Sequence, residues 1–402
     1  MNTIPPPIHV WFEEGVEAGA PVRRLIFEGV RDGAGSRCET WWRFPGESTL
    51  AALPALDPLV GAHLLSAAQL NQDLVVHGPL SAGGLRHLRQ LMELRRALSP
   101  DRYPRCVEIV PERVVDGLQP IGPPNRAVAA FSGGLDSTFT VGRHAHRLVG
   151  ERAFELAGLV MVFGFDAPLS REDRFDAMAR RAEPAARALG LPIRRVISNA
   201  MQWGGRAWPQ SAMPLFVSVL AQFHGTASVG LVSAGAPYGL PRFASISHAP
   251  FLDQYSSCDY FRLVTDGGGF NRAQKIDALK SYPELLAGLK VCWQGPDPAR
   301  NCGVCPKCVL TRLDFLAAGI PDPPCFDSPL TAELIERMPL QSMQKARDLF
   351  RFAWAELSER GVGGPAVAAL RRRLSRVPPD FVAPVVQRWE HRVRWALGRL
   401  TK

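Results

Sequence analysis

Apolar and polar positions along the chain follow two different rhythms. In the first part, short runs such as HVWFEE (9–14), RRLIFEGV (23–30) and ETWWRF (39–44) mix β-branched or aromatic residues with charged ones, separated by Gly, Pro and Ala. They predict short strands of an α+β unit. GAHLLSAAQLNQ (61–72) and SAGGLRHLRQLMELRRALS (81–99) predict helices. Ser81 is placed to cap the second, with Leu85, Leu88, Leu91 and Leu94 along one face. RCVEIV (105–110) predicts a returning strand. Then LQPIGPPNR (118–126) breaks the pattern with proline and glycine.

Beyond that breaker the rhythm becomes strand, helix, strand. AVAAF, LAGLVMVFGF, LPIRRVIS and SVGLVSAG predict strands, and STFTVGRHAHRLV, REDRFDAMARRAEPAARALG and AMPLFVSVLAQF predict helices between them. Near-continuous apolar strands alternating with helices imply an α/β fold, a parallel, doubly wound sheet covered on both faces. Ligands of such sheets sit beyond the carboxyl ends of the strands. From Pro324 the chain predicts mainly helix and ends in an arginine-rich segment containing Trp389 and Trp395. The expected organisation is an N-terminal α+β domain over 1–118, a parallel α/β domain over 119–325 and a helical basic region over 326–402.

Length and composition add limits. The 402 residues suit two or three folded units, and the 46% apolar content supports a sizeable core. No run approaches the ~18 apolar residues of a membrane span, and the N-terminus lacks the layout of a secretory signal. The expectation is a soluble, cytoplasmic protein without a membrane partner. A net charge of +9 suits nucleotides, phosphorylated metabolites or RNA; an arginine-favouring genome accounts for it equally well.

The chemistry is concentrated in two motifs. Ser132-Gly133-Gly134-Leu135-Asp136-Ser137 follows the first apolar strand and opens a helix. Two glycines permit positive φ and close approach of backbone N–H groups to an anion, and the helix N-terminus supplies further donors. Ser132 and Ser137 add hydroxyls, and Asp136 suits orienting the loop or holding Mg²⁺. No lysine follows, so this is not a Walker A loop. The second motif is Cys292 with Cys302-x2-Cys305-x2-Cys308, four of the chain's eight cysteines in one window. Four thiolates at knuckle spacing point to structural Zn²⁺, with an iron–sulfur cluster as the less favoured alternative.

SGGxDS after an apolar strand resembles the PP-loop of the adenine nucleotide alpha-hydrolase superfamily, home of the N-type ATP pyrophosphatases. The cysteine run, with Thr311, Arg312 and a helix to Gly319 after it, resembles the zinc signature of the 7-cyano-7-deazaguanine synthases. Its CGxCPKC form is also similar to the muramoyl-peptide L-glutamate epimerases. Of these resemblances, that to the 7-cyano-7-deazaguanine synthases covers roughly residues 125–320, and the flanking length suits the longer epimerases better. The resemblances imply cleavage of ATP between the α and β phosphates, with Ser132, Gly133, Gly134, Asp136, Ser137 and Thr138 in the cradle. They also imply adenine and ribose near the end of the second strand (Phe163 to Asp166).

Between the motifs, GAPYGLPRFASISHAPFLDQYSS places Arg242, His248, Asp253 and Tyr255 in a Gly/Pro-rich loop where that superfamily builds substrate pockets. His248 suits a general acid/base oriented by Asp253; a loop histidine with one ordinary hydrogen bond is the plain alternative. Arg272, Lys275 and Lys280 are candidates for pyrophosphate or a substrate carboxylate, or else solvated helix charges. Of the other cysteines (38, 106, 258 and 325), Cys258 lies nearest the pocket segment, where a buried structural thiol is the ordinary role. The expected activity is ATP-dependent, AMP-forming activation of a small-molecule carboxylate. An amide or nitrile then forms with an ammonia donor, or the α-carbon is epimerised. A tRNA-modifying enzyme with RNA as partner and a non-catalytic nucleotide-binding protein are the alternatives, and a homo-oligomer is compatible with each.

Overall fold

Strands of both rhythms enter one ten-stranded sheet. The computed structural model describes residues 5–31, 36–165, 167–235, 237, 250–292, 294, 295, 297, 299–340 and 344–375. In chain order the strands are β1 (Ile8–Glu17), β2 (Ala20–Glu28), β3 (Arg37–Arg43), β4 (Leu74–Ser81), β5 (Ile109–Val115), β6 (Arg126–Ala130), β7 (Glu155–Phe163), β8 (Ile193–Ser198), β9 (Val229–Ser233) and β10 (Arg262–Asp266). The helices are α1 (Asp57–Gln69), α2 (Ala82–Leu98), α3 (Leu135–Ala145), α4 (Glu172–Ala188), α5 (Ala200–Trp203), α6 (Ala212–Leu220), α7 (Pro250–Asp253), α8 (Arg272–Leu279), α9 (Pro283–Ala287), α10 (Pro306–Ala317), α11 (Ala332–Glu336), α12 (Gln344–Glu359) and α13 (Pro365–Ser375). The strand order is β10-β9-β6-β7-β8-β3-β2-β1-β4-β5. The fold is α/β with a large, mostly parallel sheet, doubly wound in the manner of the HUP/PP-loop type.

Two compact units divide the chain. The first spans Met1–Cys302 with Pro323–Asp327; the second comprises Gly303–Asp322 and the described part of 328–375. The proposed division at residue 118 falls inside the first unit. There β3 pairs antiparallel with β8 through Trp42↔Ser198 and Arg43↔Ile197. The Asn199 amide reinforces this junction, accepting from the Trp41 N–H at 2.8 Å and donating to the Glu39 carbonyl at 3.1 Å. The second unit is helical throughout its described elements, with Leu313, Phe315, Ile335, Phe350, Leu357 and Leu370 buried.

Side-chain alternation across β6–β9 feeds two cores. Val128, Val160, Val196 and Val232 join a core with α1 and α6, whose Leu59, Leu64, Leu215 and Val219 are buried. Ala127, Ala129, Leu159, Met161 and Leu231 join the other, beneath Val141 of α3 and Phe175, Met178 and Ala182 of α4. Burial on both faces explains why these strands read as continuous apolar runs. β1 instead alternates: Ile8 and Val10 are fully buried. His9, Trp11 and His77 stack on the other face, His9 and His77 sharing a 2.9 Å nitrogen–nitrogen hydrogen bond.

Local chemistry fixes the elements. Ser81 caps α2, its hydroxyl accepting from the Gly84 N–H at 3.0 Å, a bond whose removal costs about 1 kcal/mol. His63 of α1 is wholly buried and stacked on Trp203. Burial lowers its pKa to about 3, so it is a neutral core residue. No described helix is long and apolar enough to cross a membrane.

Asp57, the first residue of α1, is 2% exposed and accepts from the Ser81 N–H at 2.9 Å. Burial raises its pKa to about 7; the Ser81 bonds oppose the rise and the Asp259 charge adds to it. The folded protein therefore holds this proton more tightly than the unfolded chain. The associated stability is complete below about pH 4 and is lost as pH rises through about 7, at up to about 1.4 kcal/mol per pH unit. Asp57→Asn keeps the shape and the acceptor, so it removes this slope. Denaturant unfolding at pH 5 and pH 8 should show the variant gaining on wild type at the higher pH; parallel behaviour would contradict the assignment.

Candidate functional site

β6 delivers the SGGLDS loop to the carboxyl end of the sheet. The chain steps from β6 outward to β7 and β8, then crosses back to place β9 on the other side of β6. This reversal is the switch point at which open α/β sheets hold ligands. Gly133 has φ +73°, a conformation that side chains seldom adopt, and Gly134 is the N-cap of α3. The hydroxyls knit the turn. Ser137 Oγ donates to the Gly134 carbonyl at 3.1 Å and lies 3.3 Å from Ser132 Oγ, while the Gly134 N–H donates to Ser132 Oγ at 3.3 Å. Thr138, one residue on, is 2% exposed, so its side chain is part of the packing of α3.

A cleft opens above this turn. Ser132, Gly134, Asp136 and Ser137 line it together with Phe165, Phe216 and the end of β9. Phe163, the residue expected beside adenine, points the other way and stacks on Phe175 of α4 at 5.0 Å. β7 carries it into the α4 core with Met161, and the turn at Gly164, φ +105°, brings Phe165 to the cleft beside Phe131 and Phe216. Asp166, Arg242 and His248 lie outside the described residues.

Asp136 is held by two cations. Lys275 Nζ lies 2.7 Å from Oδ1 and Arg272 Nη1 2.9 Å from Oδ2. Both belong to the first turn of α8, three residues apart and so on one face. A reciprocal capping box between Asn271 and Gln274 fixes the start of this helix. Lys275 is 1% exposed and also donates to the Ala234 carbonyl at 2.7 Å. It therefore joins α3, α8 and the end of β9. Lys280 pairs with Asp277 at 2.7 Å on the helix surface.

Asp266, at the end of β10, clamps the other side of α3. It accepts from Thr140 Oγ1 at 3.1 Å, with Arg143 at 3.6 Å and His144 at 3.5 Å. Burial favours its neutral form, but the His144 bond and the Arg143 charge outweigh that and hold the carboxyl below its usual range. Neither β10 nor Asp266 was expected; the run RLVTD followed by three glycines was the available signal.

Asp253 is buried at the end of α7 and accepts from Thr265 Oγ1 at 2.8 Å. It is not among the described residues lining the cleft, and its bond to Thr265 places it beside β10. Tyr255 packs edge-on against His87 of α2 at 5.7 Å. Burial, then the nearby Asp57 charge, pushes the Cys258 thiol well up, so it is poorly suited to nucleophilic sulfur chemistry.

The sulfurs of Cys292, Cys302, Cys305 and Cys308 all lie within 4.8 Å of one another. Ligand sulfurs around tetrahedral zinc stand ~3.8 Å apart, from Zn–S distances of ~2.3 Å, so the set fits such an ion after small adjustment. Gly303 has φ +74° at the knuckle. Cys305 caps α10 with Pro306 in its first turn. The Cys302 N–H donates to Cys292 Sγ at 3.3 Å, and the buried Arg312 holds the Gly303 carbonyl at 2.9 Å.

No family model matches the chain and no solved structure matches it. A 7-cyano-7-deazaguanine synthase of Cupriavidus metallidurans is 26% identical to it over 237 residues, covering 51% of this chain and 98% of that enzyme. The chain is thus a distant relative of that enzyme over about half its length.

Proposed function

We propose that the chain is an ATP pyrophosphatase of the PP-loop type that activates a carboxylate on a small metabolite or nucleotide-linked intermediate. The observation that carries this reading is the Ser132–Ser137 turn at the switch point of a parallel sheet, backed by the likeness to a 7-cyano-7-deazaguanine synthase. Ser132, Gly133, Gly134 and Ser137 would cradle the phosphates. Phe165 and Phe216 supply apolar wall. Arg272 is the partly exposed cation at the loop, suited to the charge of departing pyrophosphate.

In the reaction a carboxylate oxygen attacks the α-phosphorus of ATP. The bond from that phosphorus to the bridging oxygen breaks, and pyrophosphate leaves with the electron pair. Mg²⁺, when bound, would supply charge neutralisation on the phosphates; Asp136, the carboxylate of the loop, is held by Lys275 and Arg272. The acyl adenylate is electrophilic and has an acidified α-carbon. Ammonia can therefore displace AMP to give an amide. A second ATP can adenylate the amide oxygen, so that it leaves as AMP and the nitrogen loses its protons to give a nitrile. Alternatively, a base can remove and return the α-proton before water releases AMP. The raised pKa of Cys258 argues against the sulfur-transfer branch of the RNA-modifying alternative. The cysteine cluster is assigned structural zinc.

The test is ATP turnover with Mg²⁺ against pooled carboxylates, with AMP, ADP and pyrophosphate separated. AMP and pyrophosphate should form with one pool, and Asp136→Asn should lower the rate by about 10²-fold or more; ADP and phosphate would overturn the reading. Metal analysis of the purified chain should find one zinc per chain, with Cys305→Ser lowering that ratio. Iron with acid-labile sulfide would reassign the cluster.

A further inference from the structure

The segment bearing the first two cysteines also grips the phosphate loop. Lys290 lies two residues before Cys292, and its main-chain N–H donates to the Gly133 carbonyl at 2.8 Å. The approach is close along the loop: a Cβ on Gly134 would stand 3.7 Å from the Lys290 carbonyl oxygen. Lys290 is 4% exposed, and its Nζ donates to the Arg300 carbonyl at 2.7 Å. Asn301, next to Cys302, closes the segment on itself. Its Oδ1 accepts from the Val291 N–H, and its Nδ2 donates to the Leu289 and Cys325 carbonyls, each at 2.9 Å. Residues 289–292 and 300–302 therefore form one clip, with Lys290 on the phosphate loop and Cys292 and Cys302 beside each other.

From this geometry we propose that Lys290 is a positioning residue through which a metal at the cysteines and a nucleotide at the phosphate loop stabilise each other. The proposal rests on the ATP reading above. Glycine pairs are conformationally loose, and a cradle of backbone donors works only if its peptide planes are fixed. The Gly133 carbonyl and the Gly134 N–H belong to one rigid peptide unit. Holding that carbonyl on Lys290 therefore sets the direction of the Gly134 N–H, which donates to Ser132 Oγ at 3.3 Å and, with it, turns toward the inside of the loop. Metal binding orders the clip, and linkage requires the nucleotide to favour the metal-bound state by the same factor.

Two measurements on the full-length chain test this. One is the affinity for a non-hydrolysable ATP analogue with Mg²⁺, by calorimetry, for zinc-loaded and zinc-stripped protein. The other is zinc affinity, by competition with a metallochromic chelator, with and without the analogue. Both ratios should be equal and about tenfold, within the usual ~5–150-fold span of coupled sites. Lys290→Met keeps the N–H and should keep the coupling, whereas Lys290→Pro removes it and should bring both ratios to one while zinc still binds. Should the proline variant not fold, Asn301→Ala opens the clip and should shrink both ratios. Equal nucleotide affinity with and without zinc would overturn the proposal and leave the ATP reading standing. Absence of nucleotide binding in either state would overturn both.

Discussion

The Lys275–Asp136 ion pair is the constraint on which the candidate site depends. An ammonium 1% exposed must find acceptors, and the Asp136 carboxylate and the Ala234 carbonyl serve as such. One comes from the first turn of α3 and the other from the end of β9, so a single buried charge ties the Ser132–Ser137 loop to the neighbouring strand and to α8. Removing one partner of a buried pair typically costs about 3–5 kcal/mol, because the other charge is left uncompensated. The residue best placed for chemistry is thus also one that the local fold needs. This is why an asparagine, which keeps an acceptor for Lys275, is a sounder probe at 136 than an alanine.

The parts of the site carried by local rules were legible in the sequence. AVAAF followed by two glycines and a helix is strand, turn and helix, and Gly133 occupies the positive-φ position that the reading required. Ser81 caps α2 as its place before the leucine stripe indicated. The four cysteines converge as their spacing implied. What stayed hidden depends on contacts between distant segments. β4 carries Gly78 and Pro79, and its ladder with β5 shifts register between Val76 and Pro79, so its sequence reads as a turn. The Lys290 N–H on Gly133 is a main-chain bond and leaves no mark on residue identity. Phe163 and Phe165 are two positions apart, so an unbroken pleat would put both on one face; the positive φ of Gly164, +105°, ends the strand between them and lets Phe165 alone reach the cleft.

The boundary at residue 118 is instructive for the same reason. LQPIGPPNR is a real break in rhythm, yet strands on either side of it share a sheet. β3 reaches β8 across more than 150 positions, and its ladder there is short, with just two residue pairs. Such a junction needs side-chain help, and Asn199, Ser198 and Trp41 provide it: Ser198 Oγ donates to the Trp41 carbonyl at 2.7 Å. The change from alternating to continuous apolar strands marks where the sheet gains cover on its second face, not where it ends.

That difference in cover also bears on where chemistry can be placed. The cleft sits in the half of the sheet that has helices on both faces, where charges are poorly screened and aligned donors count for more than they would in water. Arg272 and Lys275 flank Asp136 at the loop, next to the positive end of α3. Phe165 and Phe216 on the opposite wall offer little to an anion and much to a flat ring. A ligand that satisfies both walls has several negative charges at one end and an apolar, planar group at the other. In the open half, the stacked His9, Trp11 and His77 face no such field. At this strand-to-helix turn, α3, α8 and the end of β9 meet on the buried Lys275, which holds the loop's carboxylate in place.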